Sequence, residues 1–166
     1  VLVGQAEDKT ARTGVTIVLP VAPAIVAGDV RGGGPGTRET DLLDPSTLVE
    51  RADAIVLSGG SSYGLGAADG VAAWLGARGR GFQLMKAAGV PPSPIVPAAI
   101  LYDLANGGDK RWGETPPYAR LGKEAAANAK QGVAQGRAGA GFGARAGAET
   151  GGVGSASFAG DDGLMV

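Results

Sequence analysis

The sequence contains no cysteine and no histidine. The absence of cysteine excludes disulfides and a thiolate nucleophile, and with histidine also missing the usual zinc ligands are gone. A Ser-His-Asp or Cys-His catalytic site cannot be completed within this chain, because no imidazole is present to act as the base. Any catalysis must therefore use hydroxyl, carboxylate, amine, amide or backbone groups, or groups of another chain. We expect neither a metal site nor a cofactor.

An excess of one charge and long apolar runs are also missing. Fifteen basic and sixteen acidic residues give a net charge of −1, which leaves no basic surface for nucleic acid or anionic lipid. No apolar run approaches the ~18 residues of a membrane span, and no signal-peptide pattern is visible. Together with a length of 166 residues and 44% hydrophobic residues, these features predict a single domain in the cytoplasm.

Glycine, by contrast, is abundant, and its 31 residues are concentrated between apolar runs. The glycine-dense blocks are residues 31–37, 58–64, 136–143 and 151–157. Glycine is needed where φ is positive or where another backbone must approach closely, so these blocks predict sharp turns. The apolar runs predict strands at residues 15–19, 24–30, 54–57 and 95–102.

Two segments have helical periodicity. After residues 58–62, apolar residues recur at three- and four-residue spacing at Leu65, Ala68, Val71, Ala72 and Leu75. A second amphipathic helix is predicted over residues 118–133, and residues 45–47 are typical of the start of a short helix. Alternating strands and helices predict a layered α/β fold. Residues 163–165 are typical of a strand that has just begun, so we expect the chain to be a fragment or one processed subunit.

Two glycine blocks have features of ligand-binding loops. Residues 57–64 join a strand to a helix N-terminus, which either binds an anion or makes only a tight turn. They lack the Lys-Ser/Thr ending of a phosphate loop. Residues 136–143 superficially match a dinucleotide fingerprint, but they follow a helix rather than a strand, so we expect no dinucleotide there.

Three side chains stand out as candidates for chemistry. Asp69 and Asp103 could form an acid pair, but carboxylates at the ends of helices and strands usually cap backbone groups or are solvated, and we favour that interpretation. Tyr102 follows an apolar run, which places a phenol at a buried strand end where it needs a partner. From its position alone, Tyr102 is expected to be a core tyrosine.

Taken together, these blocks resemble the DmpA family of self-processing amide hydrolases. This group comprises the L-aminopeptidase/D-Ala-esterase/amidase, the β-peptidyl aminopeptidases and the nylon-oligomer hydrolases. The segments that carry the resemblance follow the family order and span most of the chain: residues 28–41, 57–75, 95–103, 139–147 and 152–157. A match over several segments in order is more specific than any single glycine motif.

The resemblance implies a four-layer αββα sandwich made from one precursor. The precursor cuts itself before a Ser or Thr, which becomes the N-terminal nucleophile of a separate β chain. Residues 1–166 would then be a single, incomplete α/β domain, most of the α chain, and an Asn that assists the oxyanion would lie beyond Val166. The implied partners are the β chain, a small amide or peptide substrate, and further αβ units in a homo-oligomer.

The resemblance also implies site residues. Tyr102 falls on the active-site tyrosine, whose hydroxyl acts beside the nucleophile. The predicted substrate-binding residues are Gly59, Gly60, Ser61 and Ile100. Family members that bind a free substrate amine have Glu where this chain has Ile100, and isoleucine cannot pair with an ammonium group. A Lys commonly follows the Gly-Ala-Gly block, where this chain has Ala148.

The leading interpretation is therefore an amide hydrolase closer to the nylon-oligomer branch than to the true aminopeptidases. One alternative is an acyltransferase of the ornithine acetyltransferase kind, which also cuts itself before a Thr. Such an enzyme needs charged residues around its pocket, whereas the sequence around Tyr102 is apolar. The other alternative is a non-catalytic α/β module that binds an anion at residues 58–64.

Overall fold

A five-stranded sheet organises residues 1–161, which are the residues that the computed structural model describes. Its strands lie in the order β1, β2, β4, β5, β3, and every neighbouring pair is antiparallel except β4 and β5. The strands are β1 (Leu2–Asp8), β2 (Thr13–Leu19), β3 (Thr37–Arg38), β4 (Ile55–Ser58) and β5 (Ala98–Ile100). A separate hairpin consists of β6 (Arg145–Ala146) and β7 (Glu149–Thr150).

Two α-helices, α1 (Ala67–Gly76) and α2 (Tyr118–Ala127), cover one face of this sheet. Their buried side chains form the core together with those of β2 and β4, including Val15, Ile17 and Val56. The 3-10 helix Ser61–Gly66 leads directly into α1, and two further 3-10 helices span Thr40–Leu43 and Gly139–Gly141. No helix within residues 1–161 has the length and apolar character needed to cross a membrane.

The other face of the sheet is covered only in part within the described residues. Over β1 and β2, Gly139 N donates to Glu7 Oε1 (2.6 Å) and Ala140 N donates to Thr16 Oγ1 (3.0 Å). Leu57 is paired with Thr16 across β2 and β4, so its side chain is on this same face. Leu57 is 40% exposed. Apolar sheet surface at β4 therefore remains open to solvent or to another chain.

Several predicted elements are confirmed. The strands at residues 15–19 and 54–57 correspond to β2 and β4, and Ala68, Val71 and Leu75 are buried on α1 as their spacing predicted. The second helix begins at Tyr118 but ends at Ala127 rather than at residue 133. The chain leaves the helix there to reach the edge of β1, where Lys130 and Val3 exchange backbone hydrogen bonds.

Other predicted elements are wrong. Residues 24–30 form no strand, because only Ala24 finds a backbone partner, Ala52. The run at 95–102 is a strand only over Ala98–Ile100, and residues 45–47 form a turn held by Asp44 Oδ1 rather than a helix start. The strand Leu2–Asp8 was not predicted. The strand expected at residues 163–165 lies outside the described residues.

Candidate functional site

A sharp turn at the end of β4 leads into the helical layer. Gly60 has φ +91° and Ser61 has φ +53°, both in the left-handed region. A Cβ at position 60 would overlap the ring of Tyr118, so the turn requires glycine there for space as well as for conformation. Ser58 Oγ donates to Gly59 O (2.9 Å) within this turn.

The backbone N–H groups of this turn are already used inside the chain. Gly59 N donates to Gly14 O (2.9 Å), Ser61 N donates to Leu101 O (3.0 Å), and Gly60 N donates to Asp103 Oδ1 (2.7 Å). An anion site at a helix N-terminus depends on free N–H groups. At Gly59, Gly60 and Ser61 the geometry therefore favours the tight-turn interpretation over anion binding.

The same hydrogen bonds place the segment after β5 beside the turn. Leu101 N donates to Ser58 O (2.9 Å), so Leu101 is bonded to the turn through both its N–H and its carbonyl group. With the bond from Gly60 to Asp103, the residues on both sides of Tyr102 are fixed to the turn. The structure thus brings Gly59, Gly60, Ser61 and Tyr102 together.

Tyr102 projects into a cleft and is 64% exposed. The expectation of a core tyrosine is therefore wrong, because β5 ends at Ile100 and Tyr102 already lies beyond the covered part of the sheet. The cleft has a volume of about 420 Å³ and is lined by Tyr102, Asp103, Ala105, Asn106, Arg145 and Gly147. A phenol in this position can donate a hydrogen bond or a proton to a group that enters the cleft.

Asp103 is buried, with 2% of its surface exposed. Of the two roles expected for this carboxylate, capping and solvation, the structure shows the first, because its Oδ1 accepts a hydrogen bond from Gly60 N. Among the described residues, its second oxygen, Oδ2, has no hydrogen-bond partner. Asp69 is instead largely exposed on α1 and forms an ion pair with Arg38 (2.7 Å). The two carboxylates therefore lie in different environments and do not form the acid pair that was considered.

Asn106 and Lys110 form a polar network beside the cleft that the sequence did not reveal. Asn106 Nδ2 donates to Arg12 O (2.6 Å) and to Gly143 O (3.0 Å), while Lys110 Nζ donates to Asn106 Oδ1 (3.0 Å). Burial lowers the pKa of Lys110, an effect that the negative charge of Asp103 opposes. These bonds fix the Asn106 amide in one orientation at the wall of the cleft.

Tyr118, the first residue of α2, lies beneath the turn. It is fully buried, and its hydroxyl is 3.3 Å from Thr13 Oγ1. Burial raises the pKa of Tyr118 to about 12. Its ring also contacts Trp112 edge to face, with ring centroids 5.8 Å apart. Tyr118 is thus buried, whereas Tyr102 and Tyr63, the other two tyrosines, are 64% and 50% exposed.

Ile100 and Ala148 lie outside the lining of the Tyr102 cleft. A Cβ at Gly36 would overlap the side chain of Ile100, and one at Gly64 would approach its Cγ2 atom to 3.0 Å, so this side chain fills a slot between the two glycines. Ala148 lies between β6 and β7, where its carbonyl accepts from Arg145 Nη2 (3.2 Å). Within residues 1–161, no group of three or more acidic, histidine or cysteine side chains could hold a metal ion.

Comparison with known proteins gives consistent matches. The family model of peptidase family S58 matches residues 1–164. The chain is 51% identical over 153 residues to an uncharacterized aminopeptidase of Mycobacterium tuberculosis, a match that covers 92% of this chain and 42% of that protein. It is 36% identical over 148 residues to a 6-aminohexanoate-oligomer endohydrolase of Kocuria sp., covering 89% of this chain and 37% of that protein. The chain therefore spans less than half the length of these relatives.

Proposed function

The chain belongs to peptidase family S58, the DmpA family, and from that premise we propose that the whole protein hydrolyses amide bonds. The match over residues 1–164 is the observation that carries this proposal. The names of the relatives, an aminopeptidase and an oligomer endohydrolase, both denote hydrolysis of amides. The exposed phenol of Tyr102, in a cleft with an amide and a guanidinium group, is compatible with this chemistry.

We further propose that the nucleophile is a Ser or Thr at the N-terminus of a β chain, released when the precursor cuts itself. The support is chemical: this chain has no cysteine and no histidine, so it cannot build a thiolate or an imidazole-activated serine. An N-terminal Ser or Thr needs neither, because its own amine can accept the proton. Tyr102, whose hydroxyl can reach a neighbouring chain, would then act on the attacking or leaving oxygen.

The open face of the sheet supports a four-layer sandwich. Two helices cover one face, whereas on the other face Leu57 is exposed and Val18 and Ile55 are only half-buried. Two sheets that pack face to face bury such surfaces between them. In this arrangement residues 1–166 are one incomplete α/β domain, and the β chain supplies the second sheet and its helices.

We assign different roles to the predicted site residues. Tyr102 donates a hydrogen bond or proton in the reaction. The N–H groups of Gly59, Gly60 and Ser61 are occupied within the chain, so these residues hold the Tyr102 segment in place. Gly59 and Gly60 are buried, so they support the substrate site from behind Tyr102 and do not contact the substrate directly. Ile100 lies two residues before Tyr102, in the slot between Gly36 and Gly64, and offers no charge that could pair with a substrate ammonium group. The substrate's acyl side is therefore uncharged in this proposal, as in an interior or N-blocked amide.

The full-length protein is the material for the test. It is incubated with an oligomer of 6-aminohexanoate, with an N-acylated amino-acid p-nitroanilide and with the corresponding free aminoacyl p-nitroanilide, and products are followed by mass spectrometry and absorbance. The proposal predicts hydrolysis, with the N-acylated or oligomeric substrate cleaved faster. Absence of hydrolysis of every amide in the panel would contradict the proposed activity.

A further inference from the structure

Tyr102 has no regular secondary structure to hold it. Strand β5 ends at Ile100, and Tyr102 as a whole residue is 64% exposed, so packing contributes little to the orientation of its side chain. The backbone around Tyr102 is fixed by three hydrogen bonds to the turn after β4, residues 58–61. Two of them involve Leu101, on one side of Tyr102, and one involves Asp103, on the other side. The bond on the Asp103 side is accepted by a side-chain carboxylate, so a substitution of Asp103 can remove this bond without altering the backbone.

The Asp103 carboxylate occupies space that two glycines, Gly59 and Gly143, leave open. A Cβ at Gly59 would overlap Asp103 Oδ2, and a Cβ at Gly143 would lie 2.8 Å from the same atom. The carboxylate therefore lies where three segments converge: the turn after β4, the segment around Tyr102, and the glycine-rich segment that follows the 3-10 helix Gly139–Gly141. The bond from Gly60 N satisfies Oδ1, but Oδ2 has no hydrogen-bond partner among the described residues, so the burial of this carboxylate is only partly compensated.

We propose that Asp103 is a positioning residue for Tyr102. Its carboxylate holds Gly60 N–H at 2.7 Å and so fixes the turn and the residue that follows Tyr102, which directs the phenol into the cleft. Asp103 acts on the reaction only through Tyr102. The expected effect of Asp103 on kcat rests on the proposed function. The expected effect of Asp103 on the position of Tyr102 does not.

Asp53 provides a matched control. It is also an aspartate with 2% of its surface exposed, and it accepts a backbone hydrogen bond from Ile95 N (2.9 Å), beside an ion pair with Arg80 (3.2 Å). Asp53 precedes β4 and Ile95 precedes β5, so Asp53 joins the starts of the two parallel strands, whereas Asp103 joins their ends. Loss of Asp53 should weaken the fold without displacing Tyr102.

The kinetic test compares Asp103→Ala, Asp103→Asn and Asp53→Asn in the full-length protein, each alone and combined with Tyr102→Phe. Misplacement of a reacting group by about 1 Å can cost about 100-fold in rate. We expect Asp103→Ala to lower kcat by about 10- to 100-fold with little change in KM. Asp103→Asn should retain more activity, because its amide oxygen can still accept from Gly60 N.

In the Tyr102→Phe background, Asp103→Ala should lower kcat by less than about 3-fold further, because the group it positions is already gone. Asp53→Asn should lower the unfolding temperature and leave kcat unchanged in both backgrounds. Equal effects of Asp103→Ala with and without the Tyr102 hydroxyl would overturn the proposal.

A spectroscopic test does not depend on activity. 3-Fluorotyrosine is placed at position 102, and its ¹⁹F resonance is recorded in the otherwise unchanged protein, in Asp103→Ala and in Asp53→Asn. We expect a shifted or broadened resonance in Asp103→Ala and an unchanged one in Asp53→Asn. An unchanged resonance in Asp103→Ala refutes the positioning role. If the protein hydrolyses no amide, the proposed function fails, yet this spectrum still decides the role of Asp103.

Discussion

The contact between α1 and α2 yields a prediction about a single methyl group. Gly70, on α1, faces the backbone of α2. An alanine Cβ there would overlap the carbonyl oxygen of Ala119 and stand 2.9 Å from Lys123 N, whereas ordinary contacts are 3.4–4 Å. Because these are backbone atoms within a helix, no side chain can rotate away, and the helices must separate. Overpacking of this kind costs about 1–3 kcal/mol, against a gain in helix propensity of about 1 kcal/mol.

We therefore expect Gly70→Ala to destabilise the protein by about 2 kcal/mol if the overpacking cost is at the upper end of that range. The control is Gly76→Ala at the end of the same helix, where the new Cβ would touch only the side chain of Pro94, at 3.6 Å. This substitution should stabilise by about 0.5–1 kcal/mol. Urea unfolding midpoints of both variants and the wild type decide the matter. If Gly70→Ala shifts the midpoint upward as Gly76→Ala does, the close helix contact is refuted.

Three further predictions concern the site. Tyr102→Phe should lower kcat by about 100-fold with an unchanged unfolding temperature, because the exposed hydroxyl matters for chemistry and not for packing; lowered stability with unchanged turnover would assign it a structural role. Ile100→Glu should shift the ratio of kcat/KM toward free aminoacyl substrates over N-acylated ones, since a charge-assisted hydrogen bond contributes about 1.5–3 kcal/mol; a wild type that already prefers free amines would contradict this. Because burial raises the pKa of Tyr118 to about 12, the folded state keeps a proton that the unfolded state loses above pH 10. Stability should fall between pH 10 and pH 12 by up to about 1.4 kcal/mol per unit, and Tyr118→Phe should reduce this slope; an identical slope in the variant would rule out Tyr118 as its source.

The parts of the fold that local patterns determine could be predicted from the sequence. The spacing of Ala68, Val71 and Leu75 specifies a helix face, and the run that becomes β4 is apolar and bounded by glycine. Residues 24–30 have an equally strand-like composition but remain irregular, because within residues 1–161 no neighbouring strand pairs with them beyond the bridge from Ala24 to Ala52. Strand formation depends on a partner, which composition does not report.

The candidate site could be predicted only in outline. The glycine pattern predicts the turn after β4, whereas the family resemblance assigns Tyr102 to the site. The exposure of Tyr102 contradicts the rule that a tyrosine after an apolar run is buried. The burial of Asp103 depends on Gly59 and Gly143, which are distant from it in the sequence. Local sequence patterns do not indicate which distant segments come together, so the burial of Asp103 is visible only in the three-dimensional structure.

The identity of the second chain tests the central proposal most directly. The product of the full-length gene is purified in active form, and the intact masses and N-terminal sequences of its chains are determined. The proposal predicts two associated chains whose masses sum to that of the precursor plus one water, the second beginning with Ser or Thr. Substitution of that residue by alanine should leave the precursor uncut and inactive. A single uncut polypeptide in a preparation that hydrolyses amides would contradict the proposal.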